Sequence, residues 1–275
     1  MKTYYRIKVE HDANPQNPRE DDNLGTMLCW HRRYILGDEN QWKRGEPADA
    51  ITWLIREVNP GFEYQLQDWY DEQWALRCEP HNEPQRRAAE RELMADYDAR
   101  IDDEMDRHYT RLPLFLYDHS GITMNTRPFS CPWDSGQVGF IYLSHARANA
   151  ELGGPEFTGQ DRAWNADKER RVIEVLTCEV TTYNQYITGN VYGFTVETFH
   201  YEFEIPLDTE VDPNDDGLDW THHDSCWGFH GTDAEVSGLC DHVDGFLKAP
   251  AKVAQGCLNE WVLVTQDTAE APANG

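Results

Sequence analysis

Three stretches of the chain carry residue types that catalysis or metal binding would need. The first is Asp118-His119-Ser120, the acid, base and nucleophile of a hydrolytic triad, with Asp134 a little further on and Ser135 in an Asp-Ser-Gly turn. Triad chemistry needs such groups convergent in space rather than consecutive, and Ser135 lacks the G-x-S-x-G elbow. The competing reading is a hairpin turn in which Asp118 and Ser120 bond nearby backbone N–H groups. Cys29 near His31 is a thiol and an imidazole on the same terms. The second stretch is Asp212, Asn214, Asp216 and Gly217, the opening of a calcium loop, with oxygens at alternate positions and glycine at the bend. His223 stands where the bidentate Glu belongs, so Asp-Pro-Asn-Asp-Asp-Gly also reads as a plain turn. The third is an excess of transition-metal ligand types: His222, His223, Asp224, Cys226, His230, Cys240, Asp241 and His242. Zinc wants four of these converging tetrahedrally, and their spacing fits no finger or H-E-x-x-H helix. The competing reading there is a polar loop leading into Ser225–Gly231, where Cys226 and Trp227 pack. A divalent cation is the only cofactor these stretches invite.

Charge bounds what such sites could serve. The 275 residues hold 50 Asp and Glu against 24 Lys and Arg, a net charge of -26 at pH 7. Binding bare nucleic acid needs cations that displace phosphate counterions, so that class is disfavoured, as are anionic membranes. Three accounts of the acidity compete: mimicry of a phosphate array that fits the basic groove of another protein, adaptation to a salty cytoplasm, and simple solubility. The acids gather at Glu83–Asp106 and Asp208–Asp224, whereas a halophilic coat would be even. Seven cysteines, with no C-x-x-C pair, do not form a secreted disulfide framework. Met1–Glu10 is charged and strand-like rather than a signal peptide, and no apolar run approaches the roughly 20 residues of a membrane helix. A cytoplasmic protein is expected.

The elements that would position these residues follow from periodicity. Tyr5, Ile7 and Val9 put one apolar face on a strand over 3–10, and 26–34 reads as a second strand. A helix from Pro47 to Val58 presents Ile51, Leu54, Ile55 and Val58, and Asn59-Pro60-Gly61 stops it. The aromatic run 62–78 reads as a strand and turn. A long charged helix runs over about 84–111 on a narrow stripe of Met94, Tyr97, Ile101, Met105 and Tyr109; a helix this polar bridges solvent or packs on a partner. Strands are expected at 113–118, 121–126, 137–144, 191–205 and 261–265, and helices at 145–152 and 167–187. Thr232–Glu235 fits a capping box that opens another helix. The expected fold class is α+β, a mostly antiparallel sheet with several helices and one long charged helix. It forms a single domain over 1–265, from which that helix could project, with a flexible tail at 266–275.

Two surface features point to partners. Trp42, Trp53, Trp69 and Trp74, with Tyr64 and Tyr70, suit either a core or an interface, because Trp, Tyr and Arg dominate hot spots. Trp30-His31-Arg32-Arg33-Tyr34 is the strongest cationic point of an acidic chain; it suits contact with an anionic partner or pairing with neighbouring carboxylates, and pairing is the expectation.

Four blocks resemble segments of uncharacterised proteins encoded by bacteriophages, plasmids and integrated elements. They are DNLGTM with CWHRRY at 22–34, YDHSGITM running to PFSCPWDSGQVGFIY at 117–142, VYGF at 191–194 and DSCWGF at 224–229. The resemblance implies context, a mobile-element accessory protein in the host cytoplasm, and brings no catalytic residues. The first functional expectation is a non-catalytic accessory protein that binds and modulates a host protein with a basic surface, as an acidic nucleic-acid mimic that inhibits a defence or DNA-binding enzyme. The second is a metal-dependent hydrolase using residues near Asp118–Ser120, Asp134 and His222–Asp224. The third is an assembly protein whose charged helix forms homo-oligomers.

Overall fold

A computed structural model describes residues 2–39, 47–79, 83–154, 157, 163–200, 210–215 and 217–267. The fold is α+β, with every strand ladder antiparallel, and it divides into two compact units. Unit 1 comprises 1–20 and 182–275, and unit 2 comprises 21–181.

Unit 1 is a four-stranded sheet in the order β7-β6-β1-β8, built from β1 (Lys2–His11), β6 (Val191–His200), β7 (Thr221–His230) and β8 (Val262–Asp267). The alternation in β1 decides its two faces. Ile7 and Val9 are fully buried with Phe194, Val196 and Phe229, beneath the turns at 232–247 and a short helix at Lys248–Gly256. That helix was not foreseen. Thr232 does not open a helix either: Asp233 Oδ1 accepts from the N–H groups of Glu235 (2.9 Å) and Val236 (3.0 Å), which closes a turn. His222, His223 and Asp224, expected on a loop, lie on the edge strand β7. Strand β6 ends at His200, the last described residue before 210, so the expected continuation to 205 lies outside the described residues.

On the opposite face of the sheet, Arg6 is buried under the acidic segment. Its Nε and Nη2 reach Glu197 Oε2 at 2.6 and 2.5 Å, and its Nη1 donates to the Pro213 carbonyl at 2.6 Å. Its guanidinium lies 4.6 Å from the Trp220 ring centre and 4.2 Å from that of Trp261. Cation–π contact of this kind strengthens as it is desolvated. Arg6 thus fastens 211–220 to the sheet, where Val211, Leu218 and Trp220 pack with Tyr4 and Phe199.

Unit 2 has a sheet in the order β2-β5-β3-β4, from β2 (Thr26–Cys29), β3 (Tyr109–Asp118), β4 (Ile122–Asn125) and β5 (Ser135–Ser144). Leu28, Phe140 and Tyr109 face α1 (Pro47–Val58) and α3 (Glu83–His108), burying Leu54, Ile55 and Met105. Residues 62–77, expected as a strand, form α2 instead. Their aromatics have β propensity, yet they recur at helical spacing, so Tyr70 meets Trp74 one turn on (6.0 Å) and Tyr97 of α3 (5.7 Å). Helix α3 ends at His108, and Tyr109 belongs to the strand that follows. Its one buried acid, Glu104, accepts from Asn59 (2.7 Å) and Arg107 (2.8 Å), so α3 is tied to the turn between α1 and α2. Two further helices are α4 (His145–Glu151) and α5 (Ala166–Ile187), the latter crossing the unit boundary. Glu179 of α5 accepts from the N–H groups of Leu24 (2.8 Å) and Gly25 (3.2 Å) at the entry to β2.

A polar knot is buried where β3, α4 and α5 meet. His145 donates its Nδ1–H to the Arg107 carbonyl (3.1 Å) and stacks on Trp164 at 3.6 Å. Glu169 Oε2 accepts from Thr110 Oγ1 and Trp164 Nε1, each at 2.6 Å. Burial pushes the His145 imidazole below its usual pKa, partly opposed by the Glu169 carboxylate. The unfolded chain then takes up a proton that the folded chain resists, so stability is complete above the unfolded value of about 6.5 and falls as pH drops through it. Denaturant melts from pH 7.5 to 5.5 should show that loss, and His145→Gln should flatten it. An equal pH slope in the variant would remove His145 as its source.

Candidate recognition surfaces

The four sequence blocks contribute strands that pair two by two. In unit 2, β2 from the first block pairs with β5 from the second, Thr26↔Tyr142 through Cys29↔Gly139. In unit 1, VYGF pairs with DSCWGF, Tyr192↔Phe229 and Phe194↔Cys226, with Trp227 lying over Gly193.

At the open end of the unit 2 sheet, the loops after β2, β3 and β4 meet. The β3–β4 hairpin closes through His119-Ser120-Gly121, with Ser120 at φ 58, the left-handed region that a side chain seldom occupies. Asp118 is spent on structure: Arg33 Nη2 bonds one oxygen and Tyr34 O–H donates to the other at 3.1 Å. Arg33 of the cationic WHRRY segment is thus paired with a carboxylate, across 85 residues of sequence. His31 stacks on Tyr34 at 4.9 Å, and its Nδ1 accepts from the N–H groups of Arg33 (3.3 Å) and Tyr34 (3.2 Å). Burial, then the charge of Arg33, lowers the His31 pKa.

His119 and Asp134 do approach, Nδ1 to Oδ2 at 3.4 Å, and Cys131 Sγ lies 3.6 Å from the same oxygen. The carboxylate therefore sits between thiol and imidazole, whereas a thiol activated by a base needs the imidazole in the middle. Ser135 Oγ donates to the Cys131 carbonyl and fixes that turn. Cys29 is buried in β2 and sits on a different element from His31. What this end offers to solvent is Trp133, 92% exposed, with the His119 and Arg33 side chains. In this arrangement no imidazole bridges Asp134 and the Cys131 thiol.

The proposed metal ligands of unit 1 are dispersed. Asp212 Oδ1 accepts from the Asn214 backbone N–H at 2.9 Å, and Asp215 Oδ1 accepts from Gly217 N–H at 2.8 Å, an Asx-turn pattern. Asp216 lies outside the described residues. His222 contacts Ser225 (3.2 Å), His223 contacts Asp244 (3.4 Å), and Asp224 accepts from the Ser225 N–H (2.8 Å). Among the described residues, no three His, Cys, Asp or Glu side chains converge as a metal would require. Trp42 also lies outside the described residues; Trp53, Trp69 and Trp74 are half-buried among the helices of unit 2, and Tyr64 is exposed.

The two acidic concentrations differ in kind. On α3 the carboxylates are interleaved with arginines: Glu83 holds Arg86 and Arg87, Asp96 holds Arg77, Glu104 holds Arg107, and Asp102 and Asp106 hold Arg111. From 172 to 247, by contrast, the sequence contains no Lys or Arg. Asp212, Asp215, Asp219, Asp224, Asp233 and Asp244 are all exposed there. The lysines that follow, Lys248 and Lys252, are taken by Asp241 (3.2 Å) and Glu235 (2.6 Å). By count of acids the two concentrations look alike; the absence of cations, plain in the sequence, separates them.

No family model matches this chain, no curated protein matches it, and no solved structure matches it. No described helix is long and apolar enough to cross a membrane.

Proposed function

We propose that the protein is a non-catalytic accessory protein that binds a basic partner through the anionic surface of unit 1. The observation that carries this is the cation-free stretch 172–247, which leaves exposed carboxylates on 210–220 and β7 without lysine or arginine beside them in sequence, whereas Asp241 and Glu235 of the following turns are held by Lys248 and Lys252. Unneutralised carboxylates held on a rigid scaffold stand in for phosphates, and the target is a protein with a groove built for nucleic acid. The resemblance of its blocks to mobile-element proteins supports a host defence nuclease or other DNA-binding enzyme as that target, met in the host cytoplasm. Titration of purified host nucleases with the full chain, with duplex DNA as competitor, tests the reading. Binding should weaken steeply with salt, and DNA should displace the protein. Binding indifferent to both, or none at low salt, would overturn it.

A further inference from the structure

An open trough of ≈ 580 Å³ runs between α2 and α3. Trp69 and Gln73 form one wall, and Asp96, Arg100, Asp103 and Arg107 form the other. At 100° per residue these four α3 positions fall within about 60° of each other on one face of the helix. Asp96–Arg100 and Asp103–Arg107 have the spacing and order that favour ion pairs within a helix. Neither pair forms. Arg77 takes Asp96 (2.5 Å), Arg107 turns to Glu104 (2.8 Å), and Arg100 lies flat on Trp69 at 4.1 Å. Among the described residues Arg100 and Asp103 have no ion-pair partner, and both are exposed.

The signs along this stripe run minus, plus, minus, plus, and the positions are symmetric about the midpoint between Ile101 and Asp102. Turned end for end, the stripe presents each charge with its opposite. Arg100 meets Asp103 of a second copy, Asp96 meets Arg107, and each contact occurs twice, as a two-fold interface demands. Trp69 supplies the apolar wall beside it, the residue type that anchors interfaces.

We propose that the α2–α3 trough is occupied by α3 of a second copy, the two α3 helices crossing antiparallel near Ile101 in a two-fold dimer. This interface is independent of the anionic surface of unit 1. Light scattering of the full chain across a concentration series at about 0.15 M salt, where long-range repulsion between acidic copies is screened, tests it. The wild type should show a concentration-dependent dimer. Arg100→Asp and Asp103→Arg should each weaken it by about tenfold or more, because like charges then face each other twice. The double variant Arg100→Asp/Asp103→Arg restores opposite signs and should return the dissociation constant to within about threefold of wild type. Arg100→Gln, which adds no repulsion, should fall between. A wild-type monomer throughout, or a double variant no better than the singles, would overturn the proposal; loss of the nuclease interaction alone would not touch it.

Discussion

Replacing Arg6 by Met is expected to lower the unfolding free energy by about 3 kcal/mol, the scale of breaking a buried, hydrogen-bonded ion pair. The methionine keeps the apolar stem but removes the fork. Glu197 then loses its partner beneath the loop, the Pro213 carbonyl loses its donor, and both Trp220 and Trp261 lose the cation between them. Arg6→Lys retains charge without the planar fork and should cost less. Chemical denaturation followed by tryptophan fluorescence measures both, and Trp220 should redden in the Met variant as 211–220 loosens. A Met variant within about 0.5 kcal/mol of wild type would show that the sandwich is ornamental to stability.

The second large effect is expected at Gly139, and it is steric. A Cβ there would lie 2.1 Å from the Leu28 carbonyl oxygen and 3.1 Å from the Cys29 Cα, both backbone atoms of the neighbouring strand. Glycine within a strand often marks such a close approach, and here it falls beside the register shift between β3 and β5 at Leu114 and Phe115. Backbone cannot swing away as a side-chain tip can. Gly139→Ala should therefore destabilise unit 2 by about 3 kcal/mol or more, at or beyond the upper end of ordinary overpacking. The β2–β5 amides should lose protection in hydrogen exchange. A melting curve that overlays wild type would mean the strands separate more freely than their packing implies.

The sequence's legibility varied with how local the determinant was. Alternation in β1 announced its core face, because a period of two on one strand needs no knowledge of its neighbours. The helix at 62–77 was missed because large aromatics with β propensity mask helical spacing, and only the facing α3 shows what they pack on. The His222–Asp224 edge strand was missed for a related reason. Seven of its ten residues are exposed and Phe229 alone is buried, so burial imposes no alternation to read. At the hairpin end, Asp118 reads in sequence as a triad acid or a turn residue, and the Arg33 and Tyr34 side chains on its two oxygens come from 85 and 84 residues away. Pairing across such a span leaves no trace in local pattern. Charge was the reverse case: the absence of Lys and Arg from 172 to 247 is plain in the sequence, but its meaning emerged once the arginines of α3 were seen on their carboxylates.

Those arginines neutralise carboxylates of the long helix, and a partner surface on that helix or on unit 1 makes opposite predictions for partner binding. Asn substitution at Asp212, Asp215, Asp219 and Asp224 removes four negative charges while keeping an oxygen acceptor for the turn bonds. A smaller set on α3, Glu92→Gln with Asp98→Asn, removes two negative charges from the helix instead. The deciding measurement is the affinity of each for a nuclease with a basic groove, followed against salt. The unit 1 set should lose about tenfold or more in affinity and show a shallower slope of log K against log salt, while the α3 set matches wild type. An intact affinity in the unit 1 set, with the loss appearing in the α3 set, would contradict the account.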